Sequence, residues 1–530
     1  MIRSSTSGQT KSTEIEPAYR RTTFDAICVA VLIAYFFHFS LVAVHGGFRE
    51  DEMMNMGIYW RVGALKSLLA NVVFWRPFCR SGGALYYLPL YHFFALNPLP
   101  YRIVQISILA VSIPLVYYLN KCLASSRSVA FLATLALCYH PGLADLVFVG
   151  SFIYDVLCGF FYFAALAYYV NIRERGYSLQ PLQLLSFLAL YIMALNCKEM
   201  AVTLPVIVLV YELLKSPRWA SWKAFFRWSW SSATPSLIAG LLTAPYIYGK
   251  THGRDALTTV TPYQPSLSWD QFITSNAKFL GELLFAPQVI TPKTLLIVWA
   301  IVFAYAFLRR DRTLQLMAFW VVIVPLPIAF ILPVRGTGSL YLLLFGWAMI
   351  FAKLATDLIT LVFKSSIFLG KRVGIGAENG ASLAGASSKV SARVFRLVAT
   401  LFVASVLAIF TQWKNHRLGV PGLNVGTETS RVIQALRSLD LRPMSGSSVL
   451  LLPRENIFRN KWNVFFLASL LWNDHSLRIW VDGLPEPPQV TWSEGIHEPT
   501  SQQLANSNYI ISLTKFEAKV IRGSELSKSD

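Results

Sequence analysis

The strongest constraint on the fold is a series of apolar runs that recurs from Ala26 to Thr411. A run of about 20 apolar residues is long enough to cross the hydrocarbon core of a membrane as a helix. Hydrophobic residues make up 55% of the 530-residue chain and charged residues only 14%, which excludes both an ordinary soluble protein and a disordered one. The sequence therefore predicts a polytopic α-helical membrane protein.

Eleven runs are candidate transmembrane helices, and the basic residues between them indicate one orientation. The net charge of +19 would suggest a nucleic-acid partner for a soluble protein, but here Lys and Arg are concentrated in short loops between the runs. Placing five such loops in the cytoplasm gives a consistent topology with a cytoplasmic N-terminus, so no nucleic-acid partner is expected. The candidate spans are 26–45, 101–119, 128–144, 152–171, 179–196, 200–214, 234–248, 293–308, 314–332, 339–363 and 395–411.

This topology predicts five parts along the chain. The last of them, a small α/β domain on the non-cytoplasmic side, is indicated by short β-type runs at 448–452, 477–481 and 509–513 around a helical pattern at 462–472. The parts are a cytoplasmic tail (1–22), a transmembrane domain (23–363) with outer loops 46–100 and 249–278, a Gly- and Ser-rich cytoplasmic linker (364–393), a last transmembrane helix (394–411) and the soluble domain (412–530).

The most informative polar cluster is Glu50-Asp51-Glu52, directly after the first span. Three adjacent carboxylates at a membrane surface repel one another and lose hydration, which favours a raised pKa for at least one of them. The cluster is therefore a candidate general base or cation site. A solvated acidic turn at a helix end explains the same residues equally well.

Three cationic residues are candidates for binding an anionic phosphate. Arg76 lies in an aromatic stretch of the first outer loop, Arg335 lies in the short outer loop after the ninth span, and Lys198 lies between the fifth and sixth spans. A guanidinium held beside aromatic rings suits a phosphate or a sugar face. The alternatives are ordinary interfacial arginines and, for Lys198, a structural ion pair.

Further polar residues occur at the outer ends of the predicted spans. Ionisable groups at membrane depth are energetically costly, which favours a functional role, although helix packing or capping also explains a single one. All these candidates fall on the same side of the membrane under the topology set by the basic loops, and this convergence points to one outer site. They are His140, Asp155, Glu199 and Tyr341.

The order of these motifs resembles that of the GT-C superfamily of membrane glycosyltransferases, most closely protein O-mannosyltransferase-like enzymes and their bacterial relatives. The matching motifs are the acidic pair after the first span, Trp75-Arg76-Pro77, His140-Pro141, Ser151 to Asp155, and Lys198-Glu199 with Pro205 beyond. The resemblance covers roughly residues 24–345. Unlike relatives with tetratricopeptide arrays after the last span, this chain has a short α/β domain there.

The resemblance implies a GT-C-type hexosyltransferase that moves a sugar from a polyprenyl-phosphate donor to a hydroxyl acceptor on the non-cytoplasmic face, with inversion. The acidic motif maps onto Glu50-Asp51 or Asp51-Glu52, with Asp51 as the central candidate for the general base. Arg335, Arg76 and Lys198 would stabilise the departing phosphate, and His140, Asp155, Glu199 and Tyr341 would be supporting residues.

The resemblance also implies the partners, namely a polyprenyl-phosphate sugar donor, the membrane, and a lipid, glycan or protein acceptor. No cofactor or metal site is expected, because the carboxylates lack the spacing that would argue for a divalent cation. A transporter or lipid flippase is the main rival, although no repeat symmetry between two halves is visible. A non-catalytic membrane scaffold is the other alternative. The absence of Asn-x-Ser/Thr sequons favours a bacterial inner membrane over the endoplasmic reticulum.

Overall fold

The computed structural model describes most of the membrane part and most of the C-terminal part that was predicted as a soluble domain and keeps that name below. The described residues are 18–75, 80–216, 219, 221–252, 264–331, 337–372, 383–419, 425–458, 462–482, 484 and 507–521.

In the described part of the chain, the first eight α-helices include two that begin with a side-chain cap. Asn97 accepts a hydrogen bond from the Leu99 amide at the start of α5, and Ser126 accepts one from the Val129 amide at the start of α6. The helices are α1 (Ala18–Ser40), α2 (Glu50–Val62), α3 (Ala64–Leu69), α4 (Ala84–Phe94), α5 (Pro98–Ala124), α6 (Arg127–Cys138), α7 (Asp145–Phe148) and α8 (Ile153–Glu174).

Twelve further α-helices lie in the described part of the chain, and several of them begin with a side-chain cap or with proline in the first turn. Asp311, for example, accepts hydrogen bonds from the Thr313 and Leu314 amides at the start of α15. The helices are α9 (Pro181–Cys197), α10 (Leu204–Lys215), α11 (Trp222–Trp228), α12 (Thr234–Thr251), α13 (Trp269–Leu283), α14 (Pro292–Leu308), α15 (Arg312–Ile323), α16 (Leu326–Ala329), α17 (Tyr341–Arg372), α18 (Leu383–Arg417), α19 (Thr427–Arg437) and α20 (Trp462–Trp472).

Among the described residues, six helical stretches are long and apolar enough to cross a membrane, and a seventh candidate is bent by 47° between α6 and the turn that follows. The chain is thus a multi-pass membrane protein, but the predicted count of eleven spans is not confirmed. Most of the remaining predicted runs form helices shorter than 18 residues, such as α9 and α14. The long stretches are 22–45, 98–124, 150–174, 312–329, 337–365 and 393–417.

The segment predicted as a cytoplasmic linker, 364–393, is helical at both ends. Helix α17 continues to Arg372 and α18 begins at Leu383, while residues 373–382 lie outside the described part of the chain. Both flanking helices therefore extend beyond the apolar runs from which the spans were predicted.

The soluble domain contains a four-stranded mixed sheet in the order β2-β1-β3-β4. Its strands are β1 (Ser448–Pro453), β2 (Arg478–Val481), β3 (Tyr509–Leu513) and β4 (Ala518–Ile521). Strand β1 pairs in parallel with β2 and β3, and β3 pairs antiparallel with β4. Three of the four strands and helix α20 coincide with the runs predicted from sequence, while β4 and α19 were not predicted.

Helix α20 joins this sheet to the membrane part, because one of its sides packs on β2 and another packs on α2. Across the α2 contact, Phe466 lies against Gly57, and Asn463 donates to Glu50 (3.2 Å). Tyr91 of α4 also donates to the Leu470 carbonyl oxygen of α20 (2.5 Å). The first turn of α2 is therefore held between the membrane bundle and the soluble domain.

The first predicted outer loop (46–100), called the first outer segment below, packs against α12 at Gly249. A Cβ atom at this position would lie 1.8 Å from the Trp75 carbonyl oxygen, so only a residue without a side chain allows this contact. Gly240, two turns earlier in the same helix, has open space where its Cβ would be.

We expect Gly249→Ala to lower the stability of the protein by about 1–3 kcal/mol, because the added methyl group forces the backbone of Trp75 away. Thermal unfolding of the purified protein in detergent measures the effect. Gly240→Ala is the matched control and should leave the melting temperature unchanged or raise it, since alanine has the higher helix propensity. Equal effects of the two substitutions would contradict the contact.

Candidate functional site

The acidic cluster forms the first turn of α2, and its three carboxylates point to different environments. The turn is closed by a capping box in which the Arg49 amide donates to the Glu52 carboxylate (2.8 Å). Consecutive residues of a helix point about 100° apart, so only one of the three faces the bundle. Glu50, Asp51 and Glu52 are adjacent in sequence, but their side chains therefore lie in different environments.

Glu52 faces inward and forms a fully buried ion pair with Arg102 of α5. The Arg102 guanidinium lies 2.8 Å from Glu52 Oε2, and neither side chain is exposed. Arg102 also donates to the carbonyl oxygens of Gly46 and Gly47, which fixes the turn before α2. Because its carboxylate is engaged in this buried ion pair, Glu52 suits a positioning role.

The second oxygen of Glu52 contacts the turn that precedes α8. Glu52 Oε1 is buried and makes no hydrogen bond within the described residues, and a Cβ atom on Gly150 would lie 1.8 Å from it. Tyr87 donates to the Gly150 carbonyl oxygen from the other side (3.2 Å). The acidic turn is thus coupled directly to the segment that carries Asp155.

Asp51 is exposed and lines a cavity of about 460 Å³ between the start of α2 and the start of α19. We call this the acidic cavity; its lining residues are Arg49, Glu50, Asp51, Gly426, Thr427, Glu428 and Thr429. A backbone hydrogen bond from Gly47 to Val425 holds its two walls together (2.8 Å). Asp51 therefore combines access from outside with a rigid support, as a general base requires.

A second polar cluster lies where α8, α9 and the first outer segment meet. Lys198 forms a buried ion pair with Asp155, and Glu199 accepts a hydrogen bond from Arg80 (3.4 Å). Burial lowers the pKa of the Lys198 ammonium, and the neighbouring Asp155 carboxylate opposes this effect. Two cations and two carboxylates thus form two neighbouring ion pairs. Three of these four residues were predicted as site residues.

Tyrosines connect the two clusters. The Tyr59 hydroxyl from α2 donates to the Arg80 carbonyl oxygen (2.7 Å) and lies 2.9 Å from the Tyr154 hydroxyl. The Arg80 guanidinium lies over the ring of Tyr154, 5.3 Å from its centroid. Tyr154 adjoins Asp155 in α8, and Tyr59 lies on α2, the helix that begins with the acidic turn. These tyrosines therefore link α2 to the second cluster, and we call this set of contacts the polar band.

The second cluster opens into a groove of about 240 Å³ whose walls are mostly apolar. We call it the α12 groove; among its lining residues are Glu199, Val202, Tyr246, Lys250, Leu326 and Phe330. The Lys250 ammonium lies 5.4 Å from the centroid of the Tyr246 ring. An apolar groove that also contains charged groups, here Glu199 and Lys250, suits a lipid with a charged headgroup.

His140 and Tyr341 lie apart from the polar band. His140 stacks on Phe285, and its Nε2 lies 3.0 Å from the Leu283 carbonyl oxygen. Tyr341 is buried against Gly159 and Phe163. Both residues therefore make packing contacts between segments of the bundle.

Two predicted phosphate ligands, Arg76 and Arg335, lie outside the described residues. Three charged residues that the sequence interpretation missed are instead prominent: Arg80, Arg102 and Lys250. Arg102 could have been found, since a single charge near the start of a long apolar helix carries a functional expectation. Lys250 and Arg80 had no such pattern around them. Within the described part of the chain, no group of three or more His, Cys, Asp or Glu residues could hold a metal ion.

Comparison with solved structures identifies the fold. The chain is similar to ArnT from Cupriavidus metallidurans, solved with bound undecaprenyl phosphate, with a TM-score of 0.51 and 13% sequence identity over 93% of each chain. The predicted GT-C-like fold is thereby confirmed. The archaeal oligosaccharyltransferase AglB from Archaeoglobus fulgidus, in complex with an inhibitory peptide and a dolichol-phosphate, aligns with a TM-score of 0.48 and 11% identity over 93% of this chain and 70% of its own. No protein-family profile matches the sequence, and no curated protein matches it.

We expect Glu52→Gln to destabilise the protein by about 3–5 kcal/mol, because it leaves the buried Arg102 guanidinium without a counter-charge. The double variant Glu52→Gln/Arg102→Gln should recover part of this loss. Unfolding by SDS titration in mixed micelles gives the free-energy differences. Glu517→Gln, which removes the exposed ion pair with Lys519, is the control and should cost less than about 1 kcal/mol. If the loss of unfolding free energy in the double variant equals the sum of the losses in Glu52→Gln and Arg102→Gln, the two residues do not form an energetically coupled pair.

Proposed function

We propose that this protein is an inverting glycosyltransferase that moves a sugar from a polyprenyl-phosphate donor to a hydroxyl acceptor on the outer, non-cytoplasmic face of a membrane. The observation that carries the proposal is the polar band, which links α2, the helix that carries the exposed Asp51, to the charged residues beside an apolar groove. The GT-C-like fold and the undecaprenyl phosphate bound by ArnT support a lipid-phosphate donor.

In this proposal the α12 groove receives the first isoprene units of the donor. Lys250 lies at the charged end of the groove, and the Arg80–Glu199 and Lys198–Asp155 pairs lie behind it. The cations would stabilise the negative charge that grows on the phosphate as it leaves the sugar. The paired carboxylates offset part of the cationic charge, so that the released phosphate is not held too tightly.

Asp51 is the proposed general base. It would accept the proton of the acceptor hydroxyl while that oxygen forms a bond to the anomeric carbon, and the bond from that carbon to the phosphate oxygen breaks on the opposite face. The electron pair of the breaking bond remains on the lipid phosphate. Glu52 and Arg102 would hold the turn that carries Asp51 in place, and Glu50 would contribute negative charge near it.

Arg76 and Arg335 stay predictions as further donor-phosphate ligands, and His140 and Tyr341 stay predictions as supporting residues. The acidic cavity is the proposed entry for a lipid, glycan or protein acceptor, since residues of both the membrane part and the soluble domain line it. The proposed location is a bacterial inner membrane, with no cofactor required.

We predict that Asp51→Asn lowers kcat for sugar transfer by about 10²–10⁴-fold while the donor still binds, because the amide cannot accept the hydroxyl proton. The assay is transfer from a polyprenyl-phosphate sugar in proteoliposomes, with donor binding measured separately. Glu428→Gln removes a carboxylate from the same cavity and should retain most activity. Unchanged turnover in Asp51→Asn would eliminate the base assignment.

We predict that Lys250→Gln raises KM for the donor about tenfold and also lowers kcat, because a cation at the end of the groove would contact the phosphate before and during its departure. Lys293→Gln, which removes a charge at the start of α14 and outside the groove, is the control and should leave both constants unchanged. The same KM in Lys250→Gln and the parent protein would place the phosphate elsewhere.

A further inference from the structure

A second groove, separate from the polar band, lies between the last long helix and the rest of the bundle. It has a volume of about 440 Å³ and is lined by α6, α17, α18 and the end of α13. Its walls are almost entirely apolar and include Ala136, Leu344, Trp347, Phe402, Val406 and Phe410. We call it the α18 groove.

The α18 groove is open to the surroundings of the helix bundle. Phe402 and Val406 line it and are nevertheless exposed, at 68% and 51%. In the apolar part of α18 only 17% of the residues are buried, whereas 56% are buried in the corresponding part of the span that contains most of α17. Because both helices are long enough to cross a membrane, the medium that meets this opening is lipid.

Lys414 lies at the rim of the groove, and the Arg417 guanidinium lies nearby, 5.4 Å from the centroid of Trp413. The Lys414 ammonium is held by aromatic rings, at 4.8 Å from the centroid of Phe285 and 4.9 Å from that of Trp413. Within the described part of the chain, Lys414 forms no ion pair, and no oxygen atom accepts a hydrogen bond from its ammonium. Its three N–H donors are therefore available to an anionic group above the groove.

We propose that the α18 groove binds an anionic phospholipid of the surrounding leaflet, with an acyl chain between α18 and the bundle and the phosphate beside Lys414. The apolar walls match the chain and the rim cation matches the headgroup. A groove open to the bilayer is filled by the most abundant lipid that fits, which favours a phospholipid over a scarce polyprenyl carrier. The lipid replaces the helix contacts that α18 lacks.

Native mass spectrometry of the purified full-length protein tests this site. Phosphatidylglycerol and phosphatidylcholine with identical acyl chains are added in equal amounts, and the lipid that stays bound is identified from the mass of the complex. The parent protein should prefer phosphatidylglycerol about fivefold, the factor expected for one lysine beside an anionic lipid. Lys414→Gln should abolish this preference, whereas Lys293→Gln should keep it.

Filling the groove gives an independent test. Val406→Phe places a larger side chain in the groove and should lower the retention of both lipids at least about threefold. Leu401→Phe is the matched control, because Leu401 is an exposed residue of α18 that does not line the groove. Size-exclusion chromatography confirms that each variant is folded, and Lys414→Met replaces Lys414→Gln if the latter is not.

Three results would overturn the proposal. An unchanged phosphatidylglycerol preference in the folded Lys414 variant would exclude the headgroup contact. Equal retention by the Val406 and Leu401 variants would exclude the groove. Displacement of phosphatidylglycerol by an equimolar amount of undecaprenyl phosphate would assign the groove to the carrier lipid instead.

Discussion

The ion pair between Glu52 and Arg102 is the contact on which the outer part of the molecule depends. Two charges without any solvent exposure are tolerable only because each neutralises the other and because Arg102 also satisfies the carbonyl oxygens of the preceding turn. This pair joins the start of α2 to α5, and Gly150 brings the turn before α8 against it. The position of Asp51, one residue away, follows from these contacts.

The acidic turn is supported from two sides, and this explains why one carboxylate of three remains accessible. The membrane bundle binds Glu52 from within, and the soluble domain contacts Glu50 through Asn463 of α20. Asp51 lies between them and faces the cavity below α19. The soluble domain therefore contributes to the candidate site as a wall and a support, which gives a physical reason for its dense packing on α2.

Much of this architecture could be predicted from sequence, because apolar runs and short β-type runs are local patterns. The strands at 448–453 and 509–513 and helix α20 are examples. The separate environments of Glu50, Asp51 and Glu52 could not be predicted, since they depend on an arginine 50 residues away in sequence. Arg80 was missed for the same reason, because its ion pair with Glu199 forms only when α9 and the first outer segment meet. The count of eleven spans is not confirmed, because several of the predicted apolar runs form helices shorter than 18 residues.

The account rests on the claim that the acidic cavity and the α12 groove serve one reaction. A cryo-EM structure with a non-transferable polyprenyl-phosphate sugar analogue tests this most directly. We expect density for the lipid in the α12 groove, its phosphate beside Lys250, and the anomeric carbon turned toward the Asp51 carboxylate with room for an acceptor hydroxyl between them. An analogue whose sugar occupies a cavity that Asp51 does not reach would contradict the account.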